Sequence, residues 1–305
     1  MNFIPYIRMP DMIHKRNKII AEFKNDGNCK NIDSSVVSSF GEEWSKFNAF
    51  DDNEIQKIGD LYFDILPDEL LNERTKVLDV GCGSGRWSKY FVKKVGSVDA
   101  VDPSLAIFVA DKMLSDYQNI RLTMATTETL PFPDDSFDLV VSVGVLHHLP
   151  DTLKAIKDCV AKVKYGGYFY IYLYYSLDNR GRLFYLLFKM ANGIRYFVSR
   201  FPSGLKKLTC DIIAVIVYMP LIFLSRLFYK LGFKKMAEKV PLAIYRDNSF
   251  YIIRNDALDR FGTKLEHRFS RTQISQMLFE SGISQIKFSE KAPYWHVIGK
   301  KVNSI

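Results

Sequence analysis

The sequence predicts an α/β fold in which a mostly parallel sheet carries helices on both of its faces. From Lys76 onward, short apolar runs alternate with helical patterns, which is the order expected of repeated strand–helix–strand units. A glycine cluster at Gly81–Gly85 directly follows the first run, as at a tight strand-to-helix turn. The 305 residues are 48% apolar and 25% charged, so the chain can bury a sizeable core.

The strands and helices of this core can be placed in chain order. The five predicted strands of the parallel part are Lys76–Val80, Ser97–Asp102, Ile120–Ala125, Phe137–Val143 and Gly166–Tyr175. The predicted helices between them are Arg86–Lys94, Leu105–Tyr117 and Thr152–Val163. A last helix begins at Ser270, with Gln273 as its capping-box partner, and ends near Gly282. Two final strands are predicted near Ser284–Ser289 and Tyr294–Lys300.

Four segments are predicted along the chain. Residues 1–60 form an N-terminal helical extension, in which Trp44, Phe47 and Phe50 recur at helical spacing. Residues 61–178 form the first part of the core domain, and residues 246–305 complete it. Between them, residues 179–245 form a basic, apolar helical insertion after the fifth strand.

The insertion holds the positive charge of the whole chain. Arg180–Val240 contains twelve Lys and Arg against Asp211 and Glu238, a net charge of +10, whereas the full chain carries +8. Within it, Ile212–Leu224 is a run of thirteen uncharged residues that includes Pro220. Since a membrane-spanning helix needs roughly 20 apolar residues, this run is predicted to be too short to cross a bilayer.

Two interpretations of the insertion stay open. Basic residues beside apolar and aromatic ones are typical of a helix in a membrane interface, here through residues 182–239. The alternative is a helical lid packed on the protein or on a second subunit, which would make a homo-oligomer. A nucleic-acid partner is disfavoured, because phosphate binding needs exposed cations and these are interleaved with apolar residues.

The cysteines and the N-terminal residues indicate the cellular compartment in which the protein works. The cysteines Cys29, Cys82, Cys159 and Cys210 are scattered without a C-x-x-C pair, which predicts neither a zinc site nor a disulfide framework. The first fifteen residues hold no apolar segment of the kind found in secretory signals. We therefore expect a cytoplasmic protein without a metal, peripheral on the inner face of a membrane if the insertion binds lipid.

The glycine turn is the strongest functional signal. Its glycines let the backbone approach a ligand closely, and amides at the start of the next helix can bind polar ligand atoms. Asp102 ends the second strand and can accept hydrogen bonds from both hydroxyls of a ribose. Arg86 stands where the third glycine of a dinucleotide fingerprint would be, and Asp79 would repel a pyrophosphate. The pattern favours a ligand with a ribose, an adenine and a cationic amino-acid tail.

Four motifs in order resemble the class I S-adenosylmethionine-dependent methyltransferases, most of all the quinone-biosynthesis and small-molecule subgroup. They are Val77–Gly85, Val101–Ser104, Leu130–Val140 and Val145–Asp151. The resemblance implies a Rossmann-like seven-stranded sheet whose last strand is antiparallel. It also implies S-adenosylmethionine as cofactor, with S-adenosylhomocysteine as product.

The resemblance further implies which residues contact the cofactor. Asp79 and the backbone of Gly81, Cys82, Gly83 and Gly85 would surround its methionine part, with Val143 beside them; Asp102 and Pro103 would hold the ribose, and Thr126 and Thr127 would lie beside the adenine. Family members often carry Asp where Thr126 stands, so the adenine contact here lacks that charge.

His147 and His148 are the predicted catalytic residues. They follow the fourth strand, at the edge of the sheet where the transferred methyl group would lie. Because imidazole has a reference pKa of about 6.5, either side chain can accept a proton near neutral pH. We predict that one of them, His147 ahead of His148, removes the proton of a hydroxyl acceptor. The alternative is that the pair only shapes the loop.

The predicted reaction is in-line transfer of a methyl group to an oxygen of a small amphipathic or lipid-linked acceptor. Carbon and nitrogen acceptors stay open, because the motifs concern the cofactor and not the acceptor. Two other classes of function are a non-catalytic membrane-associated nucleotide-binding module and a nicotinamide-dependent oxidoreductase. Asp79 and Arg86 disfavour the oxidoreductase.

Overall fold

The structure, a computed structural model, describes residues 3–25, 27, 30–46, 51–176, 181–291 and 295–302. Phe47 and Phe50 of the predicted aromatic pattern lie outside these ranges. The chain divides into two compact units, one of Met1–Ser176 with Leu265–Ile305 and one of Leu177–Lys264. The sequence ended the insertion at residue 245, whereas in the structure the second unit also takes in the next helix, up to Lys264.

The first unit is built on a nine-stranded mixed sheet in the order β1-β2-β5-β4-β3-β6-β7-β9-β8. The strands are β1 Met12–Lys15, β2 Ile19–Glu22, β3 Lys76–Val80, β4 Ser97–Val101, β5 Ile120–Met124, β6 Phe137–Val143, β7 Val163–Tyr172, β8 Ile283–Phe288 and β9 His296–Lys301. The strands from β2 to β7 in this order are parallel neighbours, and the final strand β9 runs antiparallel to β7 and β8. The α/β class and the antiparallel last strand are confirmed.

The predicted count of seven strands is wrong, because the N-terminal segment adds a hairpin at one edge. Its strand β2 pairs in parallel with β5. The turn is fixed by Asp111, which accepts from the amide of Lys18 at 2.7 Å and from the side chain of Asn17 at 2.9 Å. The extension is therefore partly strand, with helices α1 (Ser34–Lys46) and α2 (Asp52–Tyr62) after it.

Helices cover both faces of the sheet and pack on separate cores. They are α3 Arg86–Val92, α4 Ile107–Met113, α5 Thr152–Ala161 and α11 Arg271–Glu280. Because side chains alternate along a strand, Phe169 and Ile171 of β7 join the core beneath α5 and α11, whereas Tyr170 joins the core beneath α2, α3 and α4. The predicted capping box at Ser270 and Gln273 is present, with both reciprocal hydrogen bonds.

The second unit is helical. Its helices are α6 Arg182–Val198, α7 Ser203–Ile213, α8 Met219–Lys230, α9 Lys234–Lys239 and α10 Phe250–Gly262. A π-turn at Ala214–Tyr218 joins α7 to α8 without a break, so that Ser203–Lys230 is one long helix. Its small core consists of Val198, Cys210, Ala214, Tyr218, Ile222, Ile253, Ala257 and Phe261.

The long helix corrects the length argument made from the sequence. It has 28 residues, of which the apolar run Ile212–Leu224 is only the middle, so it extends roughly 42 Å. Within the described residues it is the one helix whose length and composition would suffice to cross a membrane. The π-turn places the amide of Met219 on the carbonyl of Ala214 just before Pro220, which lets the helix continue past a residue that lacks an amide proton.

Candidate functional site

The predicted cofactor residues meet at the carboxyl edge of the parallel strands. Strand β3 leads into Gly81–Gly85, β4 into Asp102 and Pro103, and β5 into Thr126 and Thr127. Val143 is the last residue of β6, the neighbour of β3 on the other side. Parallel strands align their carboxyl ends, so these residues, distant in sequence, lie together at the edge where open α/β folds bind ligands in a crevice.

The glycine turn is held close to the sheet. The amides of Gly81 and Cys82 donate to the carbonyl of Val101 at 2.8 and 3.0 Å. Gly81 has a φ of +79°, and a β-carbon there would lie 2.5 Å from the side chain of Val145. Only glycine fits this position, because any side chain would be strained and would collide with the loop after β6.

Asp102 joins the turns after β3 and β4. Its Oδ2 accepts a hydrogen bond from the amide of Gly83 at 2.9 Å. Its Oδ1 accepts from the amide and the hydroxyl of Ser104 at 2.8 and 2.6 Å. Burial raises the pKa of Asp102, and the hydrogen bonds from Ser104 and Gly83 oppose that rise. The carboxylate is thus oriented by backbone amides while Oδ2 keeps capacity to accept a ligand hydroxyl.

Asp79 is a buried carboxyl beneath the glycine turn. Its side chain is 1% exposed and accepts a hydrogen bond from Ser88 Oγ at 2.6 Å. Burial, with a smaller contribution from the charge of Asp102, raises the pKa of Asp79 to about 7 against the opposing hydrogen bonds from Ser88. A cation bound beside it would restore the ionised form. Cys82 remains a thiol, because burial and the two carboxylates raise its pKa well above the usual range.

Two hydroxyls at the crevice are buried. Ser84 Oγ and Thr127 Oγ1 have no hydrogen-bond partner within the part of the chain that the structure describes. Thr126, in contrast, caps the short helical turn at Thr127–Thr129 through its bonds with Thr129. Of the two predicted threonines, Thr127 is therefore the one whose hydroxyl can bind a ligand. The sequence analysis missed Ser84, although it lies inside the glycine motif.

His147 and His148 lie together in a short helical turn after β6. Their ring centroids are 4.1 Å apart, and the His147 ring lies 4.0 Å from that of Tyr174. His148 Nδ1 is 2.7 Å from the carbonyl of Leu265, to which it donates. Burial, His148, Arg268 and His267 lower the pKa of His147 well below its ordinary value. His147 is therefore a neutral imidazole at physiological pH, which can accept a hydrogen bond but is a weak base.

A third histidine, His296, lies at the same edge and was missed by the sequence analysis. His296 is fully buried at the start of β9, opposite Tyr172 at the end of β7. Its Nε2 lies 3.3 Å from Oδ1 of Asp64, and the other oxygen of Asp64 accepts from Ser289 Oγ at 3.0 Å. The two residues are far apart in sequence and share no motif, so only the fold reveals the pair.

Helix α1 covers this edge of the sheet. The Phe40 ring lies 4.8 Å from that of His148. A β-carbon added at Gly41 would lie 3.3 Å from Ser104, in the turn after β4. Just before the helix, Asn31 exchanges hydrogen bonds with the backbone of Asp151 at 2.6 and 2.8 Å. The N-terminal segment thus bridges the turns after β4 and β6.

Comparison with known proteins agrees with this arrangement. Residues 78–171 match a family model described as "Methyltransferase domain". An uncharacterized methyltransferase, YcgJ, of Bacillus subtilis is 32% identical over 108 residues, which cover 34% of this chain and 42% of that protein. The ubiquinone biosynthesis O-methyltransferase of Coxiella burnetii is 33% identical over 130 residues, which cover 42% and 53%. The chain spans about half the length of these relatives.

A solved structure extends the likeness beyond the matched domain. Human N-acetylserotonin methyltransferase in complex with S-adenosylmethionine matches with a TM-score of 0.50 at 14% sequence identity. The alignment covers 86% of this chain and 56% of the human one. At that identity the likeness concerns the fold alone.

Proposed function

We propose, from the match of residues 78–171 to a methyltransferase domain, that the whole chain uses S-adenosylmethionine to transfer a methyl group to an oxygen of a small amphipathic or lipid-linked acceptor. The observation that carries the proposal is that two buried carboxyls, Asp79 and Asp102, flank a turn in which Gly81 and Gly85 have no room for a side chain. A cationic nucleoside needs both the charge and the open backbone.

The residues present fit this cofactor. Burial raises the pKa of Asp79, and no cationic side chain among the described residues lowers it; the sulfonium or the ammonium group of the cofactor would supply a positive charge. Asp102 is held by Gly83 and Ser104 in a position to accept from a ribose hydroxyl. Ser84 and Thr127 offer buried hydroxyls for the remaining polar atoms.

When bound, the cofactor supplies a methyl group already activated by its positively charged sulfur. The chain's own residues then have to hold an acceptor in line with that group and exclude water, and such positioning contributes on the order of 7–11 kcal/mol. Helix α1, through Phe40 and Gly41, covers the crevice. Asp79 and Asp102 would hold the cofactor through their carboxylates.

Two groups can receive the proton of a hydroxyl acceptor. His147 is neutral and accepts a hydrogen bond from the hydroxyl, which orients it; its lowered pKa makes it a weak proton acceptor. His296, whose Nε2 lies 3.3 Å from Oδ1 of Asp64, is the other imidazole at this edge. We propose that His147 orients the acceptor and that the proton leaves through one of these two imidazoles.

The acceptor class rests on the second unit. The chain passes from the first unit into the second after β7, whose end lies at the carboxyl edge of the sheet. It returns to the first unit before α11. We propose that residues 182–239 bind the surface of a membrane and so hold a cytoplasmic protein there. The protein would thereby reach an acceptor that has a lipid-like part. Oxygen as the acceptor atom is supported by the name of the Coxiella relative, an O-methyltransferase.

The experiment that tests the proposed function uses the full chain and two ligands. Calorimetric titration is expected to show binding of S-adenosylhomocysteine and none of NAD. Incubation with methyl-labelled cofactor and a fractionated lysate is expected to place label in a lipid-soluble fraction, and to fail for Asp102→Ala. Binding of NAD would overturn the proposal in favour of an oxidoreductase. Cofactor binding with no labelled product in any fraction would favour a non-catalytic binding module.

A further inference from the structure

The second unit exposes apolar helix faces that its own small core does not use. On the long helix, Leu208, Ile212, Val215, Ile216, Phe223 and Leu227 are exposed. On α6, Leu186, Met190, Ile194 and Phe197 are exposed at intervals of three and four residues, which places them on one face. Contiguous apolar surface of this kind marks a docking site.

The same unit is strongly cationic. Residues 177–264 contain sixteen Lys and Arg against six Asp and Glu, a net charge of +10. Exposed lysines stand at both ends of the long helix, with Lys207 near its start and Lys230 and Lys234 at and just beyond its end. No charged residue lies on the helix between Asp211 and Arg226. Apolar surface bordered by cations is complementary to an anionic lipid surface.

The opposite face of the long helix argues against crossing the membrane. Asp211 forms a two-pronged ion pair with Arg254 of α10 at 2.7 and 2.8 Å. Tyr218 donates to Asp256 of α10 at 2.8 Å, and Arg260 binds the same carboxylate. If the long helix spanned a bilayer, these pairs would have to break or α10 would enter the hydrocarbon with its charges. Each charged side chain at the bilayer centre costs about 2.5–3.5 kcal/mol or more.

We propose that the second unit is a monotopic membrane module, in which the long helix Ser203–Lys230 lies in the plane of an anionic bilayer surface with its apolar face inserted and α10 on its aqueous side. A lying helix keeps the pairs of Asp211 and Asp256 out of hydrocarbon while removing the exposed apolar side chains from water. The lysines at its two ends then both contact lipid headgroups on one side of the membrane.

The first arm of the test measures binding. The full chain is floated with vesicles of phosphatidylcholine alone and of phosphatidylcholine with phosphatidylglycerol in equal parts. Binding to the anionic vesicles is expected, and it should weaken at high salt. The double variant Ile216→Glu, Phe223→Glu, at side chains that are 67% and 65% exposed, should lower flotation at least tenfold. Phe279→Glu, 75% exposed in the first unit, is the matched control and should float like the parent.

The second arm distinguishes lying from crossing. Single cysteines replace Lys207 or Lys230, roughly 35 Å apart along the helix, in a chain whose four natural cysteines are changed to serine. A membrane-impermeant maleimide is then added outside sealed vesicles. Equal labelling at both positions supports the proposal, whereas labelling at only one end overturns it in favour of a spanning helix.

Two further outcomes would also overturn the proposal. One is flotation that is equal for the parent and the double glutamate variant. The other is a soluble dimer that ignores vesicles and dissociates in the Phe223→Glu variant, which would make the apolar face an interface between copies of this chain. Because all of the proposed cofactor contacts lie in the first unit, loss of vesicle binding with intact cofactor binding leaves the methyltransferase proposal in place.

Discussion

The amide of Gly83 and the carboxylate of Asp102 are joined by a hydrogen bond of 2.9 Å that links the turns after β3 and β4. It orients the acidic side chain before any ligand binds, and it fixes the middle of the glycine turn. In the proposed complex, binding of the ribose by Asp102 would thereby be coupled to the shape of the loop that would hold the amino-acid tail of the cofactor.

Removal of this carboxylate should therefore weaken cofactor binding strongly. Asp102→Ala deletes acceptors for charge-assisted hydrogen bonds, which contribute about 1.5–3 kcal/mol each, so affinity for S-adenosylhomocysteine should fall by about 100-fold. Calorimetric titration measures this affinity in the parent and in the variant. Ser104→Ala removes a hydrogen bond to the same carboxylate but keeps its charge, and should change affinity less than tenfold. Equal losses in both variants would contradict the ribose assignment.

Asp79 should destabilise the cofactor-free protein at neutral pH. Its carboxyl has a reference pKa of 3.8 in the unfolded chain and about 7 in the folded one. Between these values the unfolded chain binds fewer protons, so stability falls as pH rises from about 4 to about 7. Asp79→Asn should remove this fall and raise the free energy of unfolding at pH 8 by up to about 4 kcal/mol.

Asp99 provides the control for that measurement. It is also buried, with a pKa raised by burial to about 6, but it pairs with Arg121 at 2.6 Å. Asp99→Asn removes a smaller penalty of the same kind, up to about 3 kcal/mol at pH 8, but it also leaves the guanidinium of Arg121 without its carboxylate. Its free energy of unfolding at pH 8 should therefore rise less than that of Asp79→Asn. Denaturant unfolding at pH 5 and pH 8 compares the two variants, and an equal or larger gain for Asp99→Asn would contradict the account of Asp79.

Cofactor binding should release protons through Asp79. A cation beside the carboxyl lowers its pKa, so about half a proton should be released at pH 7 and almost none at pH 9. Affinity for S-adenosylmethionine should accordingly rise between pH 6 and pH 8 and then level off. Titration calorimetry in two buffers of different ionisation enthalpy gives the proton count. Asp79→Asn should bind weakly and without this pH dependence.

Gly85 should tolerate no side chain. It has a φ of +85°, and a β-carbon there would lie 2.7 Å from Leu114 Cδ1 and 3.0 Å from Ala110 Cβ. Gly85→Ala combines backbone strain with a collision, and should cost about 2–4 kcal/mol of unfolding free energy. Gly282→Ala is the matched control, since Gly282 has a φ of +84° and nothing within 4 Å of the added carbon. It should cost about 1–2 kcal/mol, from strain alone. A larger loss at Gly282 would contradict the packing argument.

His147 should affect turnover and not cofactor affinity. His147→Ala removes a neutral hydrogen-bond acceptor, so turnover should fall at least tenfold while the affinity for S-adenosylhomocysteine changes less than threefold. The shape of the pH–rate profile should stay as in the parent, because the low pKa of His147 keeps its titration away from neutral pH. Parallel losses of turnover and affinity would instead indicate that the pair with His148 only shapes the loop. Loss of a profile limb in His296→Gln alone would identify His296 as the proton acceptor.

The sequence predicted the core sheet and the gathering of the candidate residues at its carboxyl edge, because both depend on local patterns. Lys76–Val80 and Phe137–Val143 were placed with their observed bounds, since short buried strands read as continuous apolar runs. The carboxyl edge followed from the order of strands and turns. The N-terminal hairpin escaped prediction because two four-residue strands show too little alternation to be recognised.

What could not be predicted depends on contacts across the fold. The pKa of His147 is lowered first by burial and then by His148, Arg268 and His267, and the last two come from a segment that follows the insertion. The Asp64–His296 pair joins the turn that follows α2 to the start of β9. The sequence analysis counted only the uncharged run that begins after Asp211, and so underestimated the length of the helix Ser203–Lys230. Asp211 lies inside this helix, where its charge is paired with Arg254.

The hairpin that completes the sheet also protects it. Without β1 and β2, strand β5 would present a row of unpaired amides and carbonyls on which another chain could extend the sheet. With them, that side ends in a four-residue strand bearing Lys15, a poor template for strand addition. Removal of the first 25 residues should therefore cause aggregation in solution, even though none of the proposed cofactor contacts would be lost.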